Sequence, residues 1–171
     1  MNNYLSIITL NVDGLNAPIK RHRIAEWIRK HDPHICCLQE THLRTKHLHR
    51  LKVKGLKQIF QANEQEKKKK PGVAILISDK IDFQRRTIKR DPEGHFIILK
   101  RRIQQEDINI VNIYAPNTGA PKYIKKILED FKKDIDSNTI IVGDFNTPLS
   151  KMDRSSKQKI STRILCHLTI P

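Results

Sequence analysis

Five polar residues stand where an apolar run gives out: Asn11 near the end of Tyr4 to Val12, Glu40 after Ile35 to Gln39, Tyr114 closing Asp107 to Tyr114, and Asp144 and Asn146 after Thr139 to Val142. A buried strand has no structural use for such ends, and in open α/β sheets ligands collect just beyond the carboxyl ends of strands. Glu40 directly follows Ile35, Cys36, Cys37, Leu38 and Gln39, and a lone carboxylate buried there is costly unless it is paired. A hard divalent cation such as Mg²⁺, which takes one or two carboxylates and keeps waters for a phosphate, resolves that cost. Asp144 and Asn146 are spaced i and i+2, so they share a face where strand geometry persists into the loop. A carboxylate that orients or deprotonates a water, beside an amide that holds it, suits attack on phosphorus. Each residue also has an ordinary reading: Asn11 in a turn, Glu40 with Thr41 in a helix cap, Asp144 to Asn146 as a turn, Tyr114 as a core or edge aromatic. The chemical reading rests on their falling at strand ends together.

The elements that must position them follow from periodicity. Tyr4 to Val12, Ile35 to Gln39, Gln58 to Gln61, Val73 to Ser78, Phe83 to Lys89, Phe96 to Arg101, Asp107 to Tyr114 and Thr139 to Val142 read as strands bounded by turn residues. Ile24, Trp27 and Ile28 recur at helical spacing within Lys20 to His31, after Pro18 and before Pro33. Ile124, Ile127, Leu128, Phe131 and Ile135 lie on one face of a second helix, Pro121 to Asp136. The opening is strand, helix, strand, and the middle section, turning at Asp91, Pro92, Glu93 and Gly94, is antiparallel in character. No repeat or linker divides the 171 residues into two domains, and from Arg163 to Pro171 the apolar residues show no clear cap or partner element.

Thirty-three Lys and Arg against 18 Asp and Glu give a net charge of +15, which points to a polyanionic partner. The charge is local: residues 41–70 carry a net +8 and residues 106–150 a net −2. The run Lys67 to Lys70 before Pro71 and Gly72 reads as a solvated loop tip, with a nuclear-import or phosphate patch as the second reading. Cys36, Cys37 and Cys166 are too few and too poorly spaced for a disulfide framework or a CxxC zinc site. No apolar run reaches the ~20 residues of a membrane span. The expected setting is intracellular and reducing.

Four separated motifs occur in order: Leu10 to Leu15, Leu38 to Thr41, Asn112 to Asn117, and Gly143 to Asn146. They resemble the endonuclease/exonuclease/phosphatase family of metal-dependent phosphodiesterases. Within it the sequence looks most like the apurinic-type endonuclease domain of long interspersed element retrotransposon polyproteins, with Leu15 to Arg23 and Asn112 to Pro121 particularly similar. The resemblance spans about residues 5–159 and implies part of a four-layer α/β sandwich, two packed and mostly antiparallel β-sheets with outer helices. It implies domain bounds of 1–159, with 160–171 a divergent tail. It makes Glu40 the metal ligand, with Asn11 beside it in the metal and phosphate shell, and Mg²⁺ or Mn²⁺ the ion. Asp144 orients or activates the attacking water, Asn146 holds the phosphate or that water, Tyr114 contacts the scissile phosphate, and Asn117 and Arg154 lie near the DNA. Asp13, where the retrotransposon group commonly has Asn, reads as a tolerated turn substitution, with added negative charge near the site as the second reading.

The family also implies a later Asp or Thr segment and a terminal Ser-Asp-His motif, and neither occurs in this sequence. His167, in Leu165 to Leu168, lacks the preceding Asp and reads as incidental. The expectation is therefore a sandwich without its C-terminal portion, whose first sheet is largely encoded and whose second sheet is incomplete, leaving apolar strand faces exposed. Functionally it is a DNA endonuclease of retrotransposon type, with a non-catalytic basic nucleic-acid-binding remnant as the alternative. The implied setting is the nucleus, as a monomer with DNA for partner and no membrane.

Overall fold

The structure is a computed structural model and describes residues 4–62, 70–103, 105–147 and 165–169. The elements run β1 (Tyr4–Asn11), α1 (Pro18–His31), β2 (Ile35–Gln39), a short 3₁₀ helix (Thr45–Arg50), β3 (Gln58–Ala62), β4 (Val73–Ile77), β5 (Phe83–Arg90), β6 (Phe96–Ile103), β7 (Glu106–Tyr114), α2 (Ala120–Asp130), β8 (Thr139–Asp144) and β9 (Leu165–Thr169). They form two sheets, ordered β3-β4-β2-β1-β9 and β5-β6-β7-β8. The β1/β2 and β7/β8 pairs are parallel and the remaining pairs antiparallel. This is the α/β sandwich expected of the sequence.

Side chains of one strand point alternately to the two faces of its sheet, and the layers follow from that alternation. In β2, Ile35 and Cys37 enter the core between the sheets, with Val73, Ile75 and Ile77 of β4 and Ile108, Ile110 and Tyr114 of β7. Cys36 and Leu38 of β2 and Ala74 and Leu76 of β4 face the other way, onto Ile28 of α1 and Leu51, Val53 and Leu56 of the segment leading to β3. On the far side Val111 and Ile113 of β7 pack with Ile127 of α2 and the partly buried Phe131. Helix, sheet, sheet, helix is the resulting order of layers.

Four expectations need correction. Among the described residues apolar strand faces are covered, because β5 to β8 already supply a second sheet to pack on the first. The exposed large hydrophobics among the described residues are Tyr4, Ile19 and Leu128. Lys70 is not solvated: it is 4% exposed, and its ammonium donates to the Pro92 carbonyl and, at 3.2 Å, to Glu93 Oε1, pinning the loop to the β5–β6 turn. Lys67 to Lys69 lie outside the described residues. The C-terminal stretch also finds a partner: β9 pairs antiparallel with β1, Ser6 opposite His167, because β2 occupies one edge of β1 and leaves the other free. The second helix is shorter than expected, ending at Asp130, with Ile135 in the turn beyond it.

Candidate functional site

The parallel pairing of β1 with β2 continues past both strands. Val12, Gly14 and Leu15 donate their N–H groups to the carbonyls of Gln39, Glu40 and Thr41, at 3.0, 2.6 and 2.8 Å. Thr41 and His42 in turn donate to the carbonyls of Gly72 and Pro71. This lacing holds two loops side by side, and its geometry needs left-handed backbone at Asp13 (φ 46°), Glu40 (φ 52°) and His42 (φ 50°), with Asn146 (φ 45°) facing them from the second sheet. Non-glycine residues at such angles cost of order 1–3 kcal/mol each and collect where side chains must be aimed.

Asn11 is the strut. Its Nδ2 donates to Glu40 Oε1 at 2.9 Å and to Asp144 Oδ2 at 2.8 Å, while its Oδ1 accepts from the Asp13 N–H at 3.0 Å. One amide thus joins a carboxylate of the first sheet to a carboxylate of the second. The Asp144 Oδ1 accepts from the Asn146 N–H at 3.1 Å, and the Asn146 side chain donates to the Ala115 carbonyl at 2.6 Å. Tyr114 comes up from β7 between them, its hydroxyl hydrogen-bonded with Glu40 and with Asn146. Burial first, and then the bond to the Glu40 carboxylate, push the phenol well above its ordinary range, against an opposing contribution from Asn146. It is a hydrogen-bond donor, not a phenolate, at neutral pH.

Below the site a polar tie fixes the two sheets against each other. Gln39, 1% exposed, donates to Asn112 Oδ1 at 2.7 Å and to Thr9 Oγ1 at 2.9 Å, and Asn112, fully buried, donates to the carbonyls of Leu38 and Ala74 at 3.0 and 2.9 Å. Gln39 precedes Glu40 and Asn112 lies two residues before Tyr114, so the tie sets the distance across the site. Gly143 lets β8 sit close to β7: a Cβ there would fall 1.9 Å from the Ile113 carbonyl oxygen.

Asn11, Glu40, Tyr114, Asp144 and Asn146 are therefore brought together at one seam. Asn117 is exposed on the loop after β7, and Arg154 lies outside the described residues. Two residues join the cluster that the sequence did not single out as ligands. Asp13, Glu40 and His42 offer ligand atoms within 4.8 Å of one another, and a carboxylate pair with an imidazole is a donor set that fits a divalent ion. His42 Nε2 stands 3.7 Å from Glu40 Oε2. The strand-end pattern gave no signal for His42, which reaches the site through the left-handed turn after Glu40. A separate groove of about 730 Å³ between α1 and the segment before β3 is rimmed by His22, Glu26, Arg29, His49, Lys52 and Lys57, the last three from the basic stretch 41–70. No helix among the described residues is long and apolar enough to cross a membrane.

A family model described as the Endonuclease/Exonuclease/phosphatase family matches residues 8–166. The chain is 26% identical to the Transposon TX1 uncharacterized 149 kDa protein of Xenopus laevis over 97% of its own length and 13% of that protein's. It is 30% identical to the DNA repair nuclease APEX1 of Danio rerio over 85% of its length and 46% of that protein's. The chain thus spans less than half of either relative. Among solved structures it is similar to an AP endonuclease from Archaeoglobus fulgidus (TM-score 0.64, 21% identity, 89% of this chain and 61% of that one). It is also similar to D. rerio TDP2 complexed with a single-strand DNA product (TM-score 0.65, 18% identity, 85% and 62%).

Proposed function

The chain belongs to the endonuclease/exonuclease/phosphatase family, and from that premise we propose that it hydrolyses DNA phosphodiester bonds, as an endonuclease of retrotransposon type, with a divalent metal ion at Glu40. The observation that supports this reading is the Asn11 amide bridging Glu40 and Asp144 across the seam between the sheets, so that one carboxylate can serve as metal ligand and the other can orient a water beside it. The names of two relatives, a transposon protein and a DNA repair nuclease, support the substrate.

Glu40, with Asp13 beside it, would hold the ion, which when bound would supply charge neutralisation at the phosphate; Mg²⁺ is the expected ion, with Mn²⁺ able to replace it. Asp144 accepts a proton from the water whose oxygen bonds to phosphorus, and the P–O3′ bond breaks with its electrons going to O3′, which takes a proton from solvent water, leaving a 3′ hydroxyl and a 5′ phosphate. Asn11 and the Asn146 N–H fix both oxygens of that carboxylate, so the group is held in place before substrate arrives. Tyr114, held as the neutral phenol, donates to a phosphate oxygen, and the Asn146 amide steadies the phosphate or the water. Asn117 and Arg154 contact DNA away from the reacting atoms. A nucleus and a monomeric state complete the reading. Basic residues contribute through phosphates, so log K for DNA falls with log salt.

The test is nicking of supercoiled plasmid by the chain with Mg²⁺ and with EDTA. Relaxed circles that need Mg²⁺ support the reading, and DNA binding without nicking at any metal concentration supports the non-catalytic alternative.

A further inference from the structure

Resting on the Glu40 metal site proposed above, we infer that His42 Nε2 is a further ligand to the bound cation and tilts the site toward borderline ions such as Co²⁺ and Zn²⁺. His42 Nδ1 lies 3.1 Å from the Lys70 carbonyl oxygen. A carbonyl can only accept, so Nδ1 carries the proton, and in the neutral ring the lone pair sits on Nε2. That nitrogen faces the Glu40 carboxylate at 3.7 Å, and with Asp13 the three donor atoms lie within 4.8 Å of one another. Two donors each about 2.1 Å from one ion stand roughly 3.0–3.5 Å apart, so a small closure brings the imidazole into the coordination sphere.

The support behind the ring is built. A backbone carbonyl bonded to the far nitrogen fixes the orientation of a metal-ligating histidine, and here that carbonyl belongs to Lys70, whose side chain is buried and bonded to Pro92 and Glu93. The His42 N–H is bonded to the Pro71 carbonyl, so ring and backbone are both anchored to the same segment. An all-oxygen site suits Mg²⁺ or Mn²⁺, whereas an imidazole donor favours Co²⁺ and Zn²⁺. The competing role for the same geometry is a protonated His42 ion-paired to Glu40, which would position the carboxylate and show no preference among cations.

Calorimetric titration of the full chain with CoCl₂ and with MgCl₂ separates them. In His42→Gln, Co²⁺ affinity falls about tenfold or more while Mg²⁺ affinity stays within about twofold, and in Glu40→Gln both affinities fall. Equal changes for the two cations in His42→Gln, or none, overturn the imidazole ligand while leaving the Glu40 site intact. Unchanged affinities in Glu40→Gln overturn the site itself and the ligand with it. A measurement on the unaltered chain guards against a variant that fails to fold: with ¹⁵N-labelled histidine and ¹¹³Cd²⁺ bound, the His42 Nε2 resonance is split by the metal. An unsplit resonance in the loaded protein overturns the assignment.

Discussion

One amide nitrogen, Asn11 Nδ2, holds Glu40 and Asp144 together, and its own oxygen is committed to the Asp13 N–H. The two carboxylates would otherwise repel across the seam, so Asn11→Ala lets them separate while removing no charge. We expect about 10²-fold slower nicking in that variant with DNA affinity within about threefold, measured by single-turnover kinetics and filter binding, because the loss falls on positioning. Equal losses in rate and affinity would mean that Asn11 serves binding instead. At this scale the strand-end polar residues were legible, since a polar residue closing an apolar run needs a partner. Asp13 was read only as a turn residue with charge near the site, and His42 was not read at all, because left-handed turns after Gln39 and Val12, and not strand alternation, aim those side chains.

Between elements, register decides whether the site exists. Asn112 satisfies Gln39 from β2 and two main-chain carbonyls, of Leu38 and Ala74, in a fully buried position. Truncation in Asn112→Ala removes three buried hydrogen bonds from the core, at a cost of about 3 kcal/mol, and it loosens Glu40 from Tyr114. Urea unfolding should show the lower stability and plasmid assays a lower rate in the same protein; full stability would deny the tie its role. Gly143→Ala should be destabilising by about 3 kcal/mol or more, since the new methyl collides with the Ile113 carbonyl and pushes β8, with Asp144, off β7. A thermal melt unchanged from the parent would contradict that close approach. Of the nine strands among the described residues, eight could be read from periodicity to within a few residues, as could the first helix, whereas the second was read as running on to Asp136 and ends at Asp130. The ninth strand could not, because nothing within Leu165 to Thr169 says that its partner is the free edge of β1, more than 150 residues away.

For the molecule as a whole, the core between the sheets draws residues from β1 to β4 and from β5 to β8, so the sandwich should unfold in one cooperative transition. That differs from what the sequence alone suggested, because strand periodicity identifies strands without saying which of them cover one another. Stability should also fall in alkali. Burial pushes the Cys36 thiol up to about 12 and raises Cys37 as well. A group whose folded pKa is raised stabilises fully below its unfolded value, ordinarily near 9, and that contribution is lost as pH rises from there toward the folded value. The urea midpoint should therefore be lower at pH 10.5 than at pH 8, with a shallower fall in a Cys36→Ala, Cys37→Ala variant; an equal fall would assign the effect to other groups, Tyr114 and Tyr123 among them.

The most direct test of a metal-dependent phosphodiesterase centre at the seam is the Mg²⁺-dependent nicking rate of supercoiled plasmid by the chain beside Glu40→Gln and Asp144→Asn, with DNA affinity measured on the same preparations. Nicking should fall at least ~10²-fold in each variant with affinity unchanged or slightly tighter, since each removes a negative charge from beside the phosphate path. Nicking that persists in both variants, or that continues in EDTA, would contradict a metal-dependent centre at the seam.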